Sequence, residues 1–268
     1  KKKVKEDKGN RKEKSGNNKE KVKMEVLDND GNVIRTVNHN VEPGLNRIYW
    51  SLRQKGVRSP NMPKPTKPDA REPGGPPVLP GDYTVRLTNG KESVSQTVSV
   101  LTDPRVGINK RNLERLQPIY QRQMEITTSV TMAMDQIREA KATIQSINKM
   151  LNPKGNKSHK ELISRGKAIS DSLKLLEELI VNKKGLQGIV RSPNILSSKV
   201  GAIGRYLYSN LSGPNDSHKY LLDYAEVETE KVLNQVNMFF KKDWDEYQSE
   251  VEDADLSFFK SYKPIKIN

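Results

Sequence analysis

The sequence predicts an α+β chain, a small antiparallel β-sandwich followed by an antiparallel helical bundle. Three observations carry this. Apolar residues alternate with a period of two between about Val22 and Leu101. They recur at spacings of three and four from Val130 onward. A proline- and glycine-rich stretch, 55–80, separates the third predicted strand from the fourth. The expected organisation is a Lys-rich flexible segment over 1–21, a sandwich over 22–103 that contains the Pro-rich loop 55–80, and a helical bundle over 104–268.

In the first half, "VKMEVLD" places Val22, Met24 and Val26 on one face, and "NVIRTV" returns after a turn. "GLNRIYWSLR" reads as a third strand, with Leu45, Ile48, Trp50 and Leu52 supplying core contacts. Because proline donates no ladder hydrogen bond, the loop 55–80 is expected to hold no strand. "DYTVRLT" and "ESVSQTVSVL" follow, with Tyr83, Val85 and Leu87 on one face and Val94, Val98 and Val100 apolar. Asn89-Gly90 between them predicts a type I′ hairpin, whose two central residues take positive φ.

In the second half, Val130, Ala133, Ile137, Ala140, Ile144, Ile147 and Leu151 form one stripe of a long helix starting near Asn109. "NPKGNKS" stops it, and a helix over Lys160–Lys184 returns with Leu162, Ile169, Leu173, Leu176 and Ile180 inward. A short helix around Lys199–Leu211 comes next. A last long helix runs from about Lys219 to near Val251, with Leu233, Val236, Phe240, Trp244, Tyr247 and Val251 on one face. Long amphipathic helices joined by short loops pack as antiparallel neighbours.

The 268 residues carry a formal charge of +14, with 33% hydrophobic and 30% charged residues. Half of the excess lies in residues 1–23, eleven Lys/Arg against four Asp/Glu, which reads as a solvated basic segment giving non-specific attraction and no specific nucleic-acid readout. No cysteine is present, so disulfides and thiolate metal sites are excluded. No apolar run approaches the ~20 residues of a membrane span. The abrupt start "KKKVKEDKGN" reads as the beginning of a piece cut from a longer polypeptide.

Several stretches invite a chemical reading. "DNDGNVIRT" spaces Asp28, Asp30 and Asn32 around Gly31, like the opening of a calcium loop. Such a loop needs glycine sixth and a bidentate carboxylate twelfth; counted from Asp28, glycine is fourth and the twelfth residue is His39, so a hairpin turn is expected instead. His39, His159 and His218 show no metal-ligand spacing, and His159 and His218 are expected at the surface near helix termini. "GAIG", Gly201 to Gly204, lacks the preceding strand and third glycine of a dinucleotide loop. Eleven carboxylates between Asp223 and Asp255 are expected on a solvated helix face rather than as a glycosidase pair. Phe239, Phe240, Trp244 and Tyr247, followed by Phe258, Phe259 and Tyr262, are expected to pack at one end of the bundle, with a carbohydrate platform as the alternative. No catalytic, cofactor-binding or metal residue is assigned.

Three motifs, "VLDNDGNVIRTV", "GLNRIYWSLR" and "PGDYTVRLT", closely resemble those of FlgD-like immunoglobulin-fold domains near the C-terminus of large bacterial sortilin-like (VPS10-like) BNR-repeat β-propeller proteins, often labelled glycosyl hydrolases. "TDPR" and "RSPNILSSKVGAIGRYLYSNL" are similar to the helical segment that ends that family, so the resemblance covers about residues 22–265. It implies an Ig-like sandwich in which Gly31 permits the turn, Trp50 anchors the core, Pro80-Gly81 starts a strand and Tyr83 packs across from Trp50. It also implies a secreted, periplasmic or cell-envelope location. The implied role is a non-catalytic scaffold or protein-interaction module, with the parent propeller or another envelope protein as partner. The alternative is an accessory substrate-binding part of a glycoside hydrolase, with carbohydrate as ligand.

Overall fold

A computed structural model describes residues 21–105, 107–151, 159–183 and 194–254. The Lys-rich segment before Lys21, and the aromatic residues Phe258, Phe259 and Tyr262, lie outside the described residues.

The chain is α+β. Strands β1 (Lys21–Leu27), β2 (Val33–Asn40), β5 (Gly81–Asn89) and β6 (Glu92–Val100) form an antiparallel sheet in the order β2-β1-β5-β6, and β3 (Arg53–Lys55) pairs with β4 (Gly74–Pro77). The period-two pattern sets the faces. Met24 lies between Val37 and Leu87, Val26 lies between Arg35 and Val85, and Met24 and Val26 are buried. Trp50 meets Tyr83 edge-on at 5.4 Å, and its indole N–H donates to the Arg53 carbonyl at 3.1 Å.

Three expectations for this half are corrected. "GLNRIYWSLR" is not a strand: regular pairing begins only at Arg53, Leu45 is 97% exposed and Leu52 is exposed. Gly44 and Leu52 both adopt positive φ, 108° and 54°, which breaks the extended path on each side of the segment while Ile48 and Trp50 are half-buried. The proline-rich stretch does hold a strand, Gly74–Pro77; prolines are tolerated because this short strand bonds β3 on one side only. Finally, the hairpin turn is displaced by one residue. Asn89 pairs with Glu92, so Gly90-Lys91 are the central pair and Gly90 alone has positive φ, 58°. Glycine at the first central position is the requirement of a II′ turn rather than I′.

Helix α1 (Lys110–Leu151) is the axis of the second half, about 63 Å long at the usual rise. Its stripe from Val130 to Leu151 is buried apart from partly buried Ile147, and burial extends back through Ile126, Tyr120, Leu116 and Leu113. Pro118 lacks the N–H that would bond the Glu114 carbonyl, but it and Glu114 both lie on the exposed side of the helix.

Helix α2 (Lys160–Ile180) runs back along the far half of α1, with Lys141 paired to Glu177 at 2.5 Å and Gly166 beside Asn148. Helix α3 (Leu196–Ser209) continues the return along the near half, where Gln123 meets Val200 and Tyr120 meets Asn210. Helix α4 (Asp216–Phe239) then travels in the direction of α1, from Glu226 beside Arg122 to Phe240 and Trp244 beside Ala140 and Thr143. It passes through a π-helical turn, Phe240–Trp244, into α5 (Asp245–Asp253). The expected inward residues of α2 and of the α4–α5 path contribute to one apolar core with α1 and α3. No helix among the described residues is long and apolar enough to cross a membrane.

Candidate functional site

The turn at Asp28 uses its own oxygens. Asp28 Oδ1 accepts the backbone N–H of Asp30 and of Asn32, at 3.0 and 2.8 Å, and Oδ2 accepts the Asn32 side-chain amide at 3.2 Å. These donors, acting against slight burial, hold the Asp28 carboxyl below its ordinary pKa. Gly31 takes φ 82° to close the turn, and β1 and β2 leave it as a hairpin. Asp28 and Asn32 bond to each other and to the turn's amides rather than pointing outward together.

His159 heads α2 without a side-chain cap. His218 departs from expectation: it is fully buried at the start of α4. Its Nδ1 accepts the Asn215 N–H at 3.2 Å while Asn215 Oδ1 accepts the His218 N–H at 3.0 Å, a reciprocal cap. Nε2 lies 3.0 Å from the Asn210 amide, Tyr206 stacks edge-on at 5.7 Å, and burial lowers the imidazole pKa. Nothing in sequence spacing distinguished this buried cap from a surface residue.

Gly201-Ala202-Ile203-Gly204 lies in the middle of α3 and packs against α1. Gln123 is the polar node there. Its Nε2 donates to the Val200 carbonyl and to Thr127 Oγ1, both at 3.1 Å, and its Oε1 accepts the Tyr208 hydroxyl at 2.9 Å. Burial first, and the neighbouring Tyr120 second, push the Tyr208 phenol up to about 12, so it remains a donor. Small residues are the sequence signal for this close approach; the buried amide could not be read from its position in an otherwise apolar stripe.

The crossover loop docks on α1 through charge. Arg58 pairs with Asp135, and Thr131 donates to the Arg58 carbonyl at 2.8 Å. Arg138 donates to the Pro60 carbonyl at 2.6 Å and the Met62 carbonyl at 3.0 Å, and lies 3.4 Å from Asp135. A cleft of about 230 Å³ remains between this loop, α1 and α3, lined by Val57, Pro60, Gly74, Thr127, Val200 and Gly204. Lining carbonyls, Gln123 and Tyr208 are already engaged with one another, so what remains is a small and mainly apolar recess.

The carboxylate-rich face is also more structured than expected. Glu226 pairs with Arg122 at 2.5 Å, Glu228 bridges Lys199 and Lys231 at 2.5 and 2.7 Å, and Glu246 and Glu250 flank Arg165 at 3.2 and 3.4 Å. Lys199 first, and Lys231 second, hold Glu228 down to about 2. These pairs tie α4–α5 to α1, α2 and α3. Asp255 lies outside the described residues.

The aromatic run divides. Phe239 and Tyr247 are buried in the core, while Phe240 and Trp244, edge-on at 5.9 Å, are partly buried. These two rings line an open groove at the π turn, rimmed by Gln136, Glu139, Asn237 and Asp245. A π turn adds one residue per turn and so rotates the aromatic stripe relative to α1. Among the described residues, no cluster of three or more His, Cys, Asp or Glu has the geometry of a metal site.

No protein-family model, no curated protein and no solved structure matches this chain.

Proposed function

We propose that the chain is a non-catalytic C-terminal scaffold or protein-interaction module of a larger secreted or envelope-associated bacterial β-propeller protein. In this reading the sheet region 22–103 is a FlgD-like, Ig-like sandwich, completed by the β3–β4 pair and the crossover loop. The helices over 104–268 form an antiparallel bundle, and the Lys-rich segment 1–21 precedes both. The supporting observation is the Arg58–Asp135–Arg138 clamp. It fixes the loop that would cross the sandwich onto the bundle's longest helix through a partly buried ion pair and backbone-directed hydrogen bonds. Polar groups committed to holding two elements in a fixed relation serve a mechanical role. Calorimetric titration of the chain with the propeller region of its parent tests this reading. Hydrolysis of a polysaccharide by the chain alone would sink it.

The second reading is an accessory carbohydrate-binding part of a glycoside hydrolase. It is favoured by the Phe240–Trp244 groove, where aromatic surface adjoins amide and carboxylate side chains. Its test is quenching of Trp244 fluorescence by oligosaccharides in a Trp50→Phe background. A signal that does not saturate, or that Phe240→Ala leaves unaltered, removes this reading.

A further inference from the structure

The two edges of the four-stranded sheet are treated differently. β2 is covered: Thr36 N–H donates to the Glu72 carboxylate at 2.8 Å, the Arg35 guanidinium reaches the Glu72 carbonyl at 3.0 Å and the Pro73 carbonyl, and the Asn38 amide reaches the Asp69 carbonyl at 3.2 Å. β6 closes the other end of the order and, among the described residues, pairs with β5 alone. Its register with β5 is unbroken from Asn89↔Glu92 to Gly81↔Val100. In a two-residue hairpin the flanking pair is hydrogen-bonded, so Glu92, Val94, Gln96, Val98 and Val100 turn their backbone groups to β5. Ser93, Ser95, Thr97 and Ser99 therefore turn theirs outward.

An outward row of N–H and C=O groups is a template for another strand, and proteins usually blunt it with lysine, proline or a bulge. β6 has none of these. Its one charge is the terminal Glu92, its pairing runs without a shift, and Val94 is 67% exposed on the face that carries Met24 and Val26.

We propose that this edge is a self-association site at which a second copy of the chain adds its own β6, antiparallel, to make a continuous eight-stranded sheet. The pattern is complementary to itself. With Thr97 on the twofold axis, Val94 faces the partner's Val100, Gln96 faces the partner's Val98, and Ser95 faces the partner's Ser99. Extended past the strand ends, the same register brings Lys91 of the hairpin turn near the partner's Asp103 on both sides of the axis, so opposite charges approach at each end. Asp103 is held ionised by Arg105, which bonds its two oxygens at 3.0 and 2.7 Å.

Sedimentation of the 268-residue chain from micromolar to submillimolar concentration tests the proposal, with circular dichroism confirming the fold of each variant. The expected result is a concentration-dependent dimer. Thr97→Pro removes an N–H that β5 does not use and leaves the internal ladder intact. Thr97→Lys places like charges face to face on the axis. Each is expected to raise the dimer Kd by roughly tenfold or more. Lys91→Asp and Asp103→Lys each weaken the dimer, and the double reversal restores it. A chain that stays monomeric, including one that instead captures a strand from another protein, overturns the proposal. So does a dimer indifferent to both Thr97 variants. A double reversal that fails to recover association overturns the register, and with it the self-complementarity on which the proposal stands.

Discussion

Gly204 of α3 and Gln123 of α1 meet with no room for a side chain between them: a β-carbon at Gly204 would stand 2.7 Å from the Gln123 amide nitrogen. That nitrogen is fixed by the Val200 carbonyl and Thr127, and the oxygen on the same amide by Tyr208. The amide cannot retreat without leaving buried groups unpaired. Gly204→Ala should therefore destabilise the fold by about 1–3 kcal/mol from overpacking, although alanine in a helix interior is ordinarily worth about 1 kcal/mol over glycine. Gly201→Ala is the control. Its β-carbon would meet only the Arg205 guanidinium, at 3.6 Å and on a flexible arm, so the propensity gain should survive. Urea unfolding should order the three proteins Gly201→Ala, wild type, Gly204→Ala, from most to least stable.

The Arg58–Asp135 pair yields a second expectation. Both side chains are mostly buried, at 18% and 11% exposure, and Asp135 also faces Arg138. Asp135→Asn keeps the shape but removes the charge that holds two guanidinium groups in place. The cost should be about 1–3 kcal/mol, the penalty of a weakened partner to a buried polar group. The loop should also open locally before the rest of the fold. Limited proteolysis is the sharper readout: cleavage between Arg58 and Arg71 should accelerate in the variant, whereas cleavage within α4 should not change.

How much of this was legible in the sequence differs by element, for physical reasons. The helical stripe from Val130 to Leu151 was readable because strands and loops do not sustain a 3.6-residue apolar period over about six turns. The paths of β1, β5 and β6 were readable from alternation. "GLNRIYWSLR" misled because Trp50 is truly inward, and a single inward aromatic suggests a strand when the backbone on each side of it is in fact bent. The hairpin at Gly90 was found but placed one residue early, since Asn-Gly satisfies two turn types and only the cross-strand register decides between them. Gln123 and the Arg58 clamp were invisible because each depends on partners brought near by tertiary packing, at separations in the chain of up to 85 residues. His218, by contrast, bonds only its near neighbours Asn215 and Asn210, and it was its burial that spacing did not reveal.

Burial of His218 gives stability a defined pH dependence. Its pKa is lowered in the fold from an ordinary 6.5 because the buried ring is costly to charge. The unfolded chain therefore takes up a proton before the folded one does. The contribution of His218 is fully present above about pH 6.5 and is lost as pH falls through the lower folded value. Melting temperature measured from pH 8 down to 5 should fall in the wild type, and His218→Gln should flatten that fall while lowering stability at pH 8 through loss of the reciprocal cap.

Glu228 acts in a lower window with the same sign. Lys199 and Lys231 hold it at about 2 against an ordinary 4.5, so its contribution is present above about pH 4.5 and disappears as pH drops toward 2. Glu228→Gln should remove part of the acid sensitivity in that range and leave the His218 window unchanged. Superposable melting curves below pH 4.5 for wild type and Glu228→Gln would contradict this.

Tyr247 and Gly166 offer the final test, because their relation is one of contact without a bond. Tyr247 is 1% exposed, and its hydroxyl has no partner among the described residues. Burial raises its pKa, so the phenol stays neutral. A β-carbon on Gly166 would lie 2.9 Å from that hydroxyl and 3.4 Å from the ring carbon that bears it. Removing an unpaired buried hydroxyl costs no hydrogen bond, so Tyr247→Phe should be neutral or stabilising by up to about 1 kcal/mol. Gly166→Ala in the wild type should destabilise by about 1–3 kcal/mol. With Phe at 247 the closest obstacle is gone, and the remaining contacts, Asn148 Oδ1 at 3.3 Å and the ring carbon at 3.4 Å, need shifts of only a few tenths of an ångström. The double variant should therefore be more stable than the sum of the single changes predicts, by about 0.5 kcal/mol or more. Strict additivity in guanidinium unfolding would mean that the hydroxyl does not set the spacing between α2 and α5.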